Sequence, residues 1–228
     1  MIVKNMISVL SLIVVFQSCS KIDNYKAPDG NIYGKLVDKI TKENIQTEQP
    51  NGYSVKLFEK GGKMNSPIVV PGKPDGTFEN AFIFQNEYMV LPTEGAFFPV
   101  DTVKVQVGSH TEVNFEVMPF LAVTNVTITP SAGKVTANYT IARSQVGDKI
   151  VERKTLVSRV PTVNNSVNDF RSQTDLAGKP DLDILAAPYS DVVTGLNAGT
   201  KYYVRIAVRT NNGLKKYNYS KVFTVAIP

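Results

Sequence analysis

Few residues in this chain of 228 could make or break bonds. It holds one cysteine, Cys19, one histidine, His110, and no tryptophan. A serine-type triad needs a histidine base between a nucleophile and a carboxylate. His110 sits in G-S-H-T between strand-like runs, and no G-x-S-x-G elbow accompanies it. Zinc needs several His or Cys ligands, more than the chain can supply. Asp181 and Asp183 in K-P-D-L-D-I have the spacing of carboxylates sharing one strand face. Calcium, however, takes about six to eight oxygens, and the rest of such a loop is missing, so the pair reads as loop polarity. There is no phosphate loop and no dinucleotide fingerprint. No catalytic residue, metal site or cofactor is expected, and the chain reads as a non-enzyme.

What remains is recognition by surfaces. Sugars present C–H faces that pack on aromatic rings. Tyr25, Tyr33, Tyr53, Phe97, Phe98, Tyr189, Tyr203, Tyr217 and Tyr219 are the candidate surface members. Phe97 and Phe98 in G-A-F-F-P stand out, because adjacent residues of a strand point to opposite faces. At least one should contact a ligand or a partner, or else seal a contact between domains. Charge is split: residues 20–120 carry ten Lys/Arg against thirteen Asp/Glu, and residues 121–228 fourteen against seven. The basic half either meets an acidic partner or is a solvated surface. No nucleic-acid recognition motif is present, so nucleic acid is not an expected partner.

Cys19 belongs to a different chemistry. Lys4 precedes Met6–Phe16, a run interrupted only by Ser8 and Ser11. That run is too short for a bilayer core, which needs about 20 residues, and has the length of a signal-peptide core. The F-Q-S-C ending resembles a bacterial lipoprotein lipobox in the loose form common in Bacteroidetes. The resemblance implies a signal peptide over residues 1–18, cleavage before Cys19, and lipidation of Cys19. Residues 19–29 then form a lipidated tether, and multiple acyl chains hold the protein to a membrane. Asp101-Thr102-Val103 matches a short motif for O-glycosylation of exported Bacteroidetes proteins, which makes Thr102 a candidate acceptor.

The elements that must position these residues are short and β-type. In residues 30–120, V-D-T-V-K-V-Q-V places Val103, Val105 and Val107 on one face. T-E-V-N-F-E-V alternates likewise through Val113, Phe115 and Val117. Further runs cover Asn31–Val37, Tyr53–Phe58, Ile68–Val70, Thr77–Phe84 and Tyr88–Leu91, separated by turn residues such as Pro74–Gly76. Period two with turns between runs predicts an antiparallel sandwich. G-x-I-x-G-K-L-V-D, S-V-K-L-F, D-G-T-F and E-Y-M-V, in that order, resemble the prealbumin-like or carboxypeptidase-regulatory-like sandwich.

Residues 121–228 carry a second set: Val123–Thr129, Lys134–Ile141, Ile150–Val160, Val192–Leu196, Lys201–Thr210 and Lys221–Ile227. G-L-N-A-G-T-K-Y-Y-V-R-I-A-V-R resembles the fibronectin type III pattern. It implies a buried Leu196 and a tyrosine corner at Tyr202. Tyr202, Val204, Ile206 and Val208 then face the core, and Tyr203, Arg205, Ala207 and Arg209 face outward. With Lys215, Lys216 and Lys221 following, Arg205 and Arg209 are expected to form a basic contact patch beside Tyr203. The family's early tryptophan is missing, and Tyr139 is the candidate for its place. The polar stretch Val163–Pro188 is long for this fold.

The order lipobox, prealbumin-like domain, fibronectin-like domain resembles a two-domain Bacteroidetes lipoprotein family, the domain-of-unknown-function family 3823. Its members are typically encoded beside SusC/SusD-type glycan-uptake systems. The expectation is an all-β, outer-membrane lipoprotein of two tandem antiparallel β-sandwiches, facing the exterior. Its implied role is an accessory glycan-binding or scaffolding component of polysaccharide uptake, with SusC/SusD-type partners. The alternative is a structural adhesin or fimbrial-type subunit.

Overall fold

The computed structural model describes residues 26–62 and 66–228, so Cys19 and Tyr25 lie outside the described residues. The first half folds as β1 (Gly30–Asp38), β2 (Ser54–Glu59), β3 (Ile68–Pro71), β4 (Thr77–Ile83), β5 (Glu87–Thr93), β6 (Val103–Gln106), β7 (Thr111–Glu112) and β8 (Phe115–Val117). One sheet has the order β3-β2-β5-β6 and is antiparallel throughout. The facing sheet pairs β4 antiparallel to β1, and β7 and β8 parallel to β1. Alternation makes the core: Ile32 and Leu36 of β1, Val55 and Leu57 of β2, Tyr88 and Val90 of β5, and Phe115 and Val117 of β8 point inward. Gly34 is required where the β7–β8 connection crosses β1, because a Cβ there would lie 1.8 Å from the Val113 carbonyl oxygen. The Pro74–Gly76 turn is clamped by buried Tyr53, whose hydroxyl reaches the carbonyls of Gly76 and Thr77 at 2.8 Å each. Tyr53 is therefore a core residue and not a surface aromatic.

The second half folds as β9 (Ala122–Ser131), β10 (Lys134–Ala142), β11 (Ile150–Ser158), β12 (Phe170–Asp175), the short helix α1 (Asp181–Ala186), β13 (Pro188–Thr194), β14 (Lys201–Thr210), β15 (Asn218–Tyr219) and β16 (Phe223–Ala226). A sheet β13-β10-β9 packs on a sheet β12-β11-β14, whose far edge is completed by β15 and β16. The corner forms as expected: the Asn197 backbone N–H donates to the Tyr202 hydroxyl at 3.2 Å, and Leu196 is buried. Tyr202, Val204, Ile206 and Val208 all enter the core, as does Tyr139. The protein is all-β, two tandem sandwiches, and among the described residues the parallel pairings lie in the first.

The outward face of β14 is the main departure from expectation. Residues 159–169 and 211–222 fold back over it and make a second, smaller core of Leu156, Val163, Ala207, Tyr217 and Tyr219. Arg205 is sealed beneath that cover at 2% exposure. Its Nε donates to the Ser220 carbonyl at 2.9 Å, Nη1 to the Val163 carbonyl at 3.3 Å, and its guanidinium lies 4.4 Å from the Tyr219 ring centroid. Burial lowers its pKa to about 10, so it stays charged at neutral pH.

Candidate ligand cleft between the domains

The two sandwiches meet along a polar seam. Asn218 of β15 bridges them: its Nδ2 donates to the Ala96 carbonyl at 2.8 Å, and its Oδ1 accepts from the Leu121 N–H at 3.0 Å. The Tyr219 hydroxyl donates to Glu48, the Asn164 side chain to the Gln49 carbonyl, and Lys216 to the Asn51 carbonyl. Phe98 packs edge-on against Phe120, centroids 5.1 Å apart, and against Gly147 of the second domain.

Beside this seam opens a cleft of about 520 Å³. Asp38 and the turn after β1, through Glu43, Asn44 and Thr47, form one wall. The start of β9, through Asn125, and the Asn218–Lys221 segment with Phe223 form the other. The walls hold their shape for local reasons. The Asp38 carboxylate caps its turn, accepting from the Ile40 N–H at 2.7 Å and the Thr41 N–H at 3.3 Å. In β9 an extra residue enters the ladder against β10, between the Thr127–Asn138 and Thr124–Thr140 pairs. Asn125 takes it up with φ 54°, a left-handed conformation that asparagine tolerates better than most residues. Its amide donates to Thr140 Oγ1 at 3.0 Å, leaving its carbonyl oxygen available. Bulges of this kind recur next to functional sites, where they re-aim side chains. Among the described residues, the Glu43 carboxylate has no ion pair or hydrogen bond, and the Lys221 ammonium lies 5.6 Å from the Phe223 ring centroid. The cleft thus offers carboxylate, amide, hydroxyl and ammonium groups beside the aromatic rings of Tyr219 and Phe223.

None of the anticipated contact residues lines it. Phe97 is 5% exposed, in the core of the first sandwich, because the G-A-F-F-P segment turns inward at Ala96 and Phe97. Phe98 seals the domain seam, which leaves no aromatic platform there. Arg205 is no surface contact, because the 159–169 and 211–222 segments cover it. Arg209 is half-buried with its Nε 3.4 Å from Glu152, so the two arginines do not form the expected exposed patch. Tyr203 is half-buried beside Lys201 and away from the cleft. Thr102 is exposed, His110 lies in an exposed turn, and Cys19 is outside the described residues. Asp181 is a helix residue paired with Arg143 and Lys149, not one of two strand carboxylates. Among the described residues no three His, Cys, Asp or Glu side chains converge to hold a metal ion. Of the wider aromatic and basic sets, only Tyr219 and Lys221 reach the cleft.

Residues 30–118 match the family described as protein of unknown function (DUF3823), N-terminal domain, and residues 121–224 match its partner, DUF3823_C. The chain belongs to the DUF3823 family. It is similar to a DUF3823 protein of Bacteroides uniformis, with 25% identity, a TM-score of 0.75, and 88% of this chain and 100% of that chain covered. A second Bacteroides uniformis protein, described as a proposed carbohydrate-binding protein, aligns at 21% identity and TM-score 0.74, covering 88% and 100%. A DUF3823 protein of Parabacteroides merdae aligns at 22% identity and TM-score 0.74 over the same shares. No curated protein matches the chain. The DUF3823 architecture is therefore both sandwiches together, and the cleft is a feature of the pair.

Proposed function

We propose that this DUF3823 protein is an outer-membrane, lipid-anchored accessory protein of polysaccharide uptake, and that it binds a glycan in the interdomain cleft. The observation that carries this is the cleft's chemistry. Its volume falls within the range of small-molecule sites, about 300–1,000 Å³, and such sites favour domain interfaces. Sugar hydroxyls pair with acceptors such as the Glu43 carboxylate and the Asn125 carbonyl oxygen, while a sugar's C–H face packs on a ring such as Phe223. The similar Bacteroides uniformis protein described as a proposed carbohydrate-binding protein fits the same reading. The role is binding rather than hydrolysis. Glycosidases use two cooperating carboxyls, and the Asp38 carboxylate is committed to capping its turn. The Cys19 lipobox supports an anchored, exterior-facing protein, and the family resemblance supports SusC/SusD-type neighbours.

Titration calorimetry of the chain from Ser20 onward against neutral and uronic-acid oligosaccharides tests this. At least one series should bind saturably. Glu43→Gln and Asn125→Gly, the latter keeping the left-handed backbone, should each weaken it about tenfold, the worth of one good hydrogen bond at roughly 1.4 kcal/mol. If no oligosaccharide binds, or both variants bind as well as the parent, the cleft is not a glycan site.

A further inference from the structure

Alternation through T-F-E-N-A-F-I would put Phe78, Asn80 and Phe82 on one face of β4. The structure breaks that pattern. Gly30 and Ile32 of β1 pair with Ile83 and Asn80, so three residues of β4 span what two of β1 span. The extra residue switches faces: Phe78 and Ile83 enter the core, and Phe82 and Phe84 turn outward at 82% and 49% exposure. Local bonds fix this conformation. Asn80 Oδ1 accepts from the Phe82 N–H at 2.9 Å, and the buried Tyr88 hydroxyl donates to the Phe84 carbonyl at 2.9 Å. β4 is also an edge of its sheet. Free edges are usually blunted by charge, proline or cover. This one instead ends in two exposed phenyl rings held on a bonded frame, a patch suited to an apolar surface.

The path of the chain says what that is. Gly30 pairs with Ile83, so the polypeptide leaves the domain beside these rings. Cys19 lies eleven residues upstream of Gly30. At the limiting rise of 3.3–3.6 Å per residue, an anchor there keeps this edge within about 40 Å of the lipid. We propose that the bulged end of β4 is a membrane-facing edge, and that Phe82 and Phe84 enter the interface of the lipid surface to which the chain is tethered. The inference rests on the lipid anchoring of Cys19 proposed above. Apolar faces of interfacial segments sink about 5–10 Å into the headgroup boundary, within reach of two rings projecting from a strand end. The contact would orient the molecule, with the domain seam and its cleft standing away from the strand end that touches lipid.

The chain has no tryptophan, so Phe82→Trp supplies a single reporter at an exposed site that tolerates it. Leu182→Trp, on exposed α1 of the other domain, is the control. Full-length lipidated protein of each variant is reconstituted into phosphatidylethanolamine/phosphatidylglycerol vesicles, with and without brominated lipid. The Phe82→Trp emission should shift to shorter wavelength and be quenched by the bromines, and the Leu182→Trp emission should do neither. Flotation with the vesicles, and its loss in Cys19→Ser, reports on anchoring separately. Protein that floats while the Phe82→Trp reporter keeps its aqueous emission overturns the inference and leaves the anchor standing. Protein that does not float overturns the anchor, and the inference with it. A shift that follows added oligosaccharide but ignores the vesicles makes the edge a glycan platform and also overturns the inference.

Discussion

Asp191 shows how much one side chain can carry in this fold. It sits between the sheets of the second sandwich at 4% exposure and accepts from Arg153, from the Tyr139 hydroxyl at 2.8 Å and from Thr155 Oγ1 at 2.8 Å. Arg153 in turn lies 4.5 Å from the Tyr189 ring centroid. Burial pulls the Arg153 pKa down, but its bonds to Asp191 and Tyr139 more than offset that and leave it above the ordinary value. Burial pushes the Tyr139 hydroxyl well above its usual range, so it stays a donor. Tyr139 thus serves the core at both ends: the ring packs, and its polar tip finds a buried acceptor. Asp191→Asn should cost about 3–5 kcal/mol, because it strands a buried guanidinium without its counter-charge. That is a large share of a stability of about 5–15 kcal/mol. Converting both partners, Asp191→Leu with Arg153→Met, should restore only part of the loss, because the Tyr139 and Thr155 hydroxyls then lack their acceptor. Urea unfolding measures both. A loss under about 1 kcal/mol for Asp191→Asn would mean the pair contributes little.

Among the elements, those legible in the sequence are the ones whose partners are local. β14 reads correctly because Leu196, Gly199 and Tyr202 define the corner within a few residues, and period two does the rest. Its reverse face does not read. The cover over Arg205 comes from residues 159–169 and 211–222, and nothing in β14 itself reports that Val163 and Tyr219 will sit above it. Both bulges are invisible for a related reason, since a single extra residue between Asn80 and Ile83, or at Asn125, leaves composition unchanged while reversing every later side chain. The cleft failed to read because its walls are turns from the two domains, brought together only by docking. The polar 176–187 stretch turned out to be an anchor. Asp181 of α1 staples the helix to the start of β11, accepting from Lys149 at 2.8 Å and the Ile150 N–H at 3.2 Å, and from Arg143 at 2.9 Å. Burial pushes the Asp181 pKa up, but these donors outweigh it, and the group ends below 3.8. Glu152 of β11 behaves alike: burial raises it, while Tyr217, Lys154 and Arg209 bring it below 4.5. Both folded values are depressed, so the unfolded chain takes up protons first on acidification. The stabilisation is fully present above the ordinary carboxylate values and is lost as pH falls through the folded ones. Asp181→Asn with Glu152→Gln should therefore lower stability at pH 7 and flatten its decline below pH 4.5. Urea midpoints measured from pH 7 to 3 check this; an unchanged acid slope would show that other carboxylates govern it.

At the scale of the whole molecule the question is whether the two sandwiches act as one body. Tandem domains joined by a short linker move relative to each other unless their interface is extensive. Here the interface is made by specific polar groups over a buried charge. Arg205 is held under Tyr219, the Tyr219 hydroxyl donates to Glu48 of the first domain, and burial of the hydroxyl, with the Glu48 charge beside it, raises the Tyr219 pKa far above its ordinary value. Asn218 satisfies one backbone group on each side of the seam. The Leu121 N–H takes the Asn218 side chain as its acceptor, whereas the Ala96 carbonyl is shared with the Phe120 N–H at 3.1 Å, so docking completes rather than solely supplies these bonds. Leaving a buried backbone donor or acceptor unpaired costs about 1–3 kcal/mol each. Asn218→Ala with Tyr219→Phe should therefore uncouple the domains without unfolding either. In calorimetry the parent should melt in one transition and the double variant in two, and solution scattering should show the variant to be more extended. Glycan affinity at the cleft should fall in step, because each domain supplies only one wall. A variant that keeps a single transition and the parent's scattering profile would place the coupling elsewhere, in the Phe98–Phe120 contact against Gly147.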